Sequence, residues 1–209
     1  MRKKRPLDRS TNIVRDANLI VIASEDKYAV RQYFEFFRST KIQFKILETD
    51  DGRSAPQHVM ARLDEYMKEF DFGADDEFWL VCDCDHWISS GHIKNLVRVI
   101  QECGQKGIQV ALSNPCFELW LLLHFADFPK NDKLTRAQVE KRIRDAVGAY
   151  DKTKVYNLPI DNDLVKLAVK RSANNQPASS EIPDRPQTSV HCIIQHLLDR
   201  GIISIELPN

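Results

Sequence analysis

Phe78-Trp79-Leu80-Val81-Cys82 runs apolar without a break and then stops at Asp83-Cys84-Asp85-His86. An uninterrupted apolar run of this length reads as a strand buried on both faces, as in a parallel sheet covered by helices. The carboxyl end of such a strand is where open α/β sheets receive ligands. If the backbone stays extended, Asp83 and Asp85 point the same way, because side chains alternate with a period of two. Paired carboxylates at that edge suit a hard divalent cation such as Mg2+. The same residues also read as solvated loop acids, or as an aspartate capping the next helix.

Asn18 to Ala23 is a second buried strand, ending at Ser24-Glu25-Asp26. Tyr33, Phe34 and Phe37 then fall on one helical stripe. Glu25 therefore sits where a strand turns into a helix, and an ordinary first-turn glutamate would occupy the same place. Ile42 to Glu48 alternates apolar and polar, as an edge strand does. Pro56 opens a helix with Val59, Met60, Leu63 and Met67 inward. Gly91 to Cys103 forms another, with Ile93, Leu96, Val97 and Ile100 inward. Ile108 to Leu112 is a fourth strand, and Ser113-Asn114-Pro115 leads into the very apolar helix Cys116 to Phe125. Strands and helices alternate throughout, which predicts an α/β fold with a Rossmann-like, mainly parallel sheet flanked by helices.

After residue 128 the strand pattern fades. Leu134 to Val147, Asp161 to Arg171 and Thr188 to Arg200 read as helices, and 173–186 as a mobile loop. The expected organisation is a flexible basic arm over 1–16, a core over 17–128, and a helical C-terminal extension over 129–209 packed on it. Lys+Arg and Asp+Glu number 30 each, so the formal net charge is +0. That balance excludes a general nucleic-acid coat, which would be basic, and predicts modest nucleic-acid affinity without a partner. No apolar run approaches a membrane span, and the basic Met1-Arg2-Lys3-Lys4-Arg5-Pro6 lacks the apolar core of a signal peptide, so a cytoplasmic location is expected. Five cysteines, mostly inside apolar runs, agree with that compartment, and Cys82-x-Cys84 has no second close pair to make a zinc site.

Glu25 on one strand end and Asp83-x-Asp85 on another resemble the Toprim arrangement shared by topoisomerases, primases and OLD-type nucleases. Over nearly its whole length the chain resembles a narrower group, the RloB-like family. The residues that carry this are Ile20-Val21-Ile22 leading to Glu25, Tyr33-Phe34, Trp79 to Asp85, Pro186-x-Thr188-x-Val190, and above all Ala111-Leu112-Ser113-Asn114-Pro115-Cys116-Phe117-Glu118-Leu119-Trp120 through His124-Phe125. The resemblance implies a Toprim-like core linked to restriction loci and phage defence, and an AAA-type ATPase partner encoded alongside. It gives Glu25 the role of general acid/base or metal ligand, and Asp83 and Asp85 that of ligands for Mg2+ or Mn2+. Glu118 and His124 match polar positions of the family's Ser-Asn-Pro-x-Phe-Glu-x-Trp helix.

The chain departs from the family in the first loop, which there reads Glu-Gly-Glu-x-Thr-Glu before Tyr-Phe. Here Asp26 stands for the glycine, Lys27 for the second glutamate and Val30 for the third. Two readings stay open. One is a metal-dependent nuclease using Glu25, Asp83, Asp85, Glu118 and His124, the first four as metal ligands. The other is a catalytically weak scaffold subunit that docks and regulates the ATPase. A nucleotide-sugar transferase, which also uses Asp-x-Asp, fits the Ser-Asn-Pro-x-Phe-Glu helix poorly. Glu118 lies in an apolar segment, so it must turn outward, pair with an arginine or bind metal. His124 reads as a hydrogen-bonded core histidine or a ligand. His86 reads either as touching a phosphate or water or as an ordinary surface residue, and Trp87 as a half-exposed ring, with stacking on a base the less favoured reading.

Overall fold

The computed structural model describes residues 1–7, 17–37, 39–49, 52, 54–89, 92–127, 133–175 and 182–201, with backbone only at 86 and 89. Arg9, Arg15 and residues 176–181 of the expected loop lie outside these, as does the side chain of His86. The strands are β1 (Asn18–Ser24), β2 (Ile42–Leu47), β3 (Glu77–Asp83), β4 (Gln109–Asn114) and β5 (Gln187–Thr188). They form one mainly parallel sheet, ordered β2-β1-β3-β4-β5, flanked by helices. Among the described residues no helix is long and apolar enough to cross a membrane.

The chain divides into two compact units, Met1–Val81 with Lys94–Val110, and Cys82–Ile93 with Ala111–Asn209. This differs from the expected boundary after 128. In the first unit β1 pairs in parallel with β2 on one side and β3 on the other, in a register that sets Ser24 opposite Val81. Leu19 to Ser24 are all buried, as the unbroken apolar run requires. The aromatic stripe behaves as expected: Tyr33 and Phe34 on α1 (Ala29–Phe34) are fully buried, and Phe34 meets Phe44 with ring centroids 5.0 Å apart. α2 (Pro56–Glu69) starts at its proline and buries Val59, Met60 and Leu63. α4 (Ile93–Gln105) instead buries Leu96, Val99 and Cys103, leaving Ile93 and Val97 exposed. Two apolar stripes run along this helix, and periodicity alone could not choose between them.

The N-terminal segment is held down over the residues described. Lys3 exchanges backbone hydrogen bonds with Glu69 and Asp71. Arg5 forks onto Asp76, with Nε donating to Oδ2 at 2.8 Å and Nη2 to Oδ1, and Nη2 also donates to the Ala17 carbonyl. The Asp76 side chain is fully buried and accepts further from the N–H groups of Leu19 and Gly73. The expectation of a flexible arm is therefore corrected for residues 1–7: the buried carboxylate Asp76 needs a cation, and Arg5 supplies it.

The second unit is built around α5 (Glu118–Phe125), whose residues Glu118 to His124 are all buried. A helix that is apolar on every side needs cover on every side. α6 (Arg136–Val147) and α7 (Asn162–Ala173) pack against it, and α8 (His191–Asp199) packs on α7. That demand explains why α5 groups with the C-terminal helices rather than closing the expected core. The C-terminal part also holds the two-residue strand β5, too short to carry a periodic signal. β5 pairs antiparallel with β4, Ser113 opposite Thr188 and Asn114 opposite Gln187. The contact is cemented by hydroxyls: Ser113 Oγ lies 2.8 Å from Thr188 Oγ1, and Leu112 N–H donates to Ser189 Oγ at 2.8 Å.

Breaking the Arg5–Asp76 fork strands a buried carboxylate. Arg5→Ala should therefore cost about 2 to 3 kcal/mol of folding stability, read from the urea midpoint. An unchanged midpoint would mean that the segment is not held in solution.

Candidate functional site

Glu25 lies in the first unit, directly after β1 and partly exposed. Its neighbour Ser24 is pinned, since the Ser24 carbonyl accepts from Thr49 Oγ1 at 3.1 Å and from Arg62 Nη2 at 3.0 Å. Asp26, which replaces the family's glycine, starts the next helix. Its Oδ1 accepts from the N–H groups of Tyr28, at 2.7 Å, and Ala29, while its own N–H donates to Ser24 Oγ. An aspartate that caps successive N–H groups in this way makes the turn a glycine would otherwise allow.

The other acids lie in the second unit. β3 ends at Asp83, and Asp85 is already the first residue of a short helix, α3 (Asp85–Ser89). The extended alternation expected through Asp83-Cys84-Asp85 therefore breaks at Cys84. There the chain turns as Cys84 N–H donates to the Ser113 carbonyl at 2.8 Å and Asp85 N–H to that of Pro115 at 3.3 Å. Asp83 is buried and spans two partners. Its Oδ1 accepts from the Phe117 N–H at 2.8 Å, at the start of α5, and its Oδ2 from Arg136 Nη2 at 2.7 Å. An aspartate in this position satisfies an open donor of the helix N-terminus.

Arg136 is the residue that sequence reasoning missed. It opens α6, just after the capping box made by Thr135 and Gln138. Besides Asp83, its guanidinium approaches Asp85 Oδ1 at 3.6 Å and Glu118 Oε2 at 3.7 Å. Three carboxylates from β3, α3 and α5 thus gather on one cation. Burial disfavours the Arg136 charge, but Asp83, Cys116, Glu118 and Asp85 outweigh it and push its pKa up. Glu118 is 1% exposed, and among the described residues no N–H or O–H donor reaches its carboxylate oxygens; the Cys116 thiol is the hydrogen-bonding group beside them. The adjacent Cys116 thiol is kept protonated, its pKa raised first by burial and then by Glu118 and Asp83. Of the three places open to Glu118, the structure gives it a weak pairing with an arginine.

His124 sits in the last turn of α5, fully buried, and its Nδ1–H donates to the Trp120 and Leu121 carbonyls at 3.0 and 3.3 Å. Burial lowers its pKa to about 4. A neutral imidazole whose Nδ1 proton is committed to its own helix is a core histidine. Trp87, for which base stacking is the less favoured reading, is 7% exposed and packs edge-on to His92.

The donor chemistry fits a divalent cation better than the present arrangement does. Asp83, Asp85 and Glu118 supply hard oxygens, and the two Glu118 oxygens are buried with no N–H or O–H donor on them among the described residues, a costly state that a cation relieves. As placed, however, the acids do not share one ion: among the described residues no three His, Cys, Asp or Glu side chains are arranged to do so.

His124 makes the fold acid-sensitive. The unfolded chain protonates this histidine near its ordinary value of 6.5, the folded chain only near about 4. Between these values the unfolded state binds more protons, so stability falls as pH drops through the window, by up to about 1.4 kcal/mol per pH unit. His124→Phe should flatten the slope of unfolding free energy between pH 6.5 and 4.5. An unaltered slope would place the acid sensitivity elsewhere.

A family model described as RloB-like protein matches residues 20–197, a span that includes Glu25, Asp83, Asp85, Glu118 and Arg136. No curated protein and no solved structure matches the chain. The matched span covers most of the chain, and with the parallel sheet and the Ser113-Asn114-Pro115 entry to α5 it settles the assignment: this protein belongs to the RloB-like family.

Proposed function

We propose that this protein is a Toprim-type nuclease that hydrolyses phosphodiester bonds of nucleic acid with Mg2+ or Mn2+, and that it acts in bacterial antiphage defence with an AAA-type ATPase partner. The observation that carries the chemical part is the gathering of Asp83, Asp85 and Glu118 from three separate elements, with Glu118 buried and, among the described residues, reached by no N–H or O–H donor. A fold keeps three carboxylates together, against their repulsion, where it has a use for cations. The defence context and the ATPase rest on the family resemblance alone.

Asp85 and Glu118, with Asp83, would hold the metal, which when bound neutralises phosphoryl oxygens and acidifies water. Asp83 also fixes the start of α5 through the Phe117 N–H, and so positions Glu118 one residue further on. Glu25 is the general acid/base or metal ligand that the family resemblance implies, and it follows a Ser24 carbonyl held by Thr49 and Arg62. His124 keeps its Nδ1 proton on its own helix, and burial holds the ring neutral.

One observation favours the second reading, a scaffold subunit that docks and regulates the ATPase. Both oxygens of Asp83 are already engaged, by a backbone N–H and by Arg136. A single assay separates the two. The chain, alone and co-expressed with its neighbouring ATPase, is given a plasmid and a tRNA pool with Mg2+, Mn2+ or a chelator. The nuclease reading predicts metal-dependent cleavage that drops by about 100-fold or more in Glu25→Gln and in Asp85→Asn, with melting temperatures little changed. Cleavage that survives chelation, or that neither substitution alters, contradicts it. No cleavage in any combination supports the scaffold.

A further inference from the structure

We propose that Arg136 is a built-in counter-ion that closes the acidic site, and that a divalent cation binds only after the guanidinium has swung out. This deepens the nuclease reading and rests on it.

Arg136 comes from α6, whereas the acids come from β3, α3 and α5. It makes one good hydrogen bond, to Asp83 at 2.7 Å, and stands 3.6 and 3.7 Å from Asp85 and Glu118. Only one of the three acids is therefore satisfied by direct hydrogen bonding from this cation. The Arg136 side chain is 39% exposed and that of Asp85 33%, so the guanidinium reaches into the cluster from the solvent side. Withdrawing it needs a rotamer change of a long side chain at the first position of a helix, with no break in the helix itself. α6 starts independently of Arg136, through the Thr135–Gln138 box, so its N-terminus persists when the side chain leaves.

The buried end of the cluster explains why such a device is needed. Glu118 cannot turn to solvent, and without a nearby cation its charge would face Asp83 and Asp85 uncompensated. Arg136 holds the acids together in the metal-free protein, but it does so monovalently and without hydrogen bonds to Glu118. A divalent ion brings twice the charge and direct oxygen coordination. It must, however, displace the hydrogen bond to Asp83, so its apparent affinity is lowered by the fraction of molecules that are closed. Anything that draws Arg136 away, such as an anionic phosphate of the substrate, would raise metal affinity.

The signature is a pair of effects of opposite sign. Calorimetry with Mn2+ on the full chain and on Arg136→Gln, together with thermal unfolding of both without and with Mn2+, reads them. The substituted protein should bind Mn2+ about tenfold tighter or better, melt lower without metal, and gain more from added Mn2+ than the parent. An arginine that only supports the fold would lose stability with no gain in affinity, and that result overturns the proposal. Equal, measurable Mn2+ affinity in the two proteins also overturns it while leaving the metal site intact. Absence of Mn2+ binding in both overturns the metal reading together with it. If Arg136→Gln does not fold, phenylglyoxal labelling of the parent protein decides: Mn2+ should speed modification of Arg136 several-fold, and unchanged or slower labelling overturns the proposal.

Discussion

Three carboxylates held within reach of one guanidinium set the terms for the second unit of this protein. Asp83, Asp85 and Glu118 belong to three different elements, and like charges in a partly dry site repel strongly unless a cation lies among them. Arg136 is therefore a condition for the arrangement, and it ties the start of α6 to the ends of β3 and α5. Asp83 works at the same point as a backbone acceptor, fixing the start of α5 through Phe117. One side chain thus serves both the packing of the central helix and the charge balance of the site. Loss of metal affinity in an Asp83 variant would be hard to separate from loss of structure, and Asp85, which is more exposed, is the cleaner probe.

The first unit follows a different rule. Its carboxylate Glu25 stands on a strand end whose preceding carbonyl is clamped by Thr49 and Arg62, and whose following turn is capped by Asp26. The buried acid of this unit, Asp76, is fully partnered by Arg5 and two backbone donors. Asp76 has its hydrogen bonds made and reads as structural. Glu118, equally buried, has among the described residues no N–H or O–H donor on its oxygens and stands 3.7 Å from the Arg136 guanidinium.

Much of the scaffold was legible because its signals are local. The apolar runs at Leu19–Ala23 and Phe78–Cys82, the alternation at Ile42–Leu47 and the proline at 56 each fix an element without outside help. The sequence also marks Glu25, Asp83, Asp85, Glu118 and His124 as candidates, of which the structure gathers Asp83, Asp85 and Glu118 around Arg136. What escaped depends on long-range contact. β5 is two residues long and held by hydroxyl pairs to β4, so it carries no periodicity to read. The inward face of α4 was misplaced because the helix has two apolar stripes. Asp85 turned out helical because hydrogen bonds from Cys84 and Asp85 to the Ser113 and Pro115 carbonyls turn the chain there. Arg136 lies 53 positions beyond Asp83 in a chain with 30 Lys+Arg. An apolar helix bearing Glu118 says that a cation is wanted, not which one.

The central claim is that Arg136 holds Glu118 and its companion acids together by charge. Denaturant unfolding of Arg136→Gln, Glu118→Gln and the double variant, all without metal, tests it most directly. With the arginine gone, neutralising Glu118 relieves repulsion, so the double variant should recover part of the stability that Arg136→Gln loses. The expected coupling is about 1 to 3 kcal/mol. Losses that simply add, to within about 0.5 kcal/mol, would show that the two side chains do not feel each other, and would contradict the account.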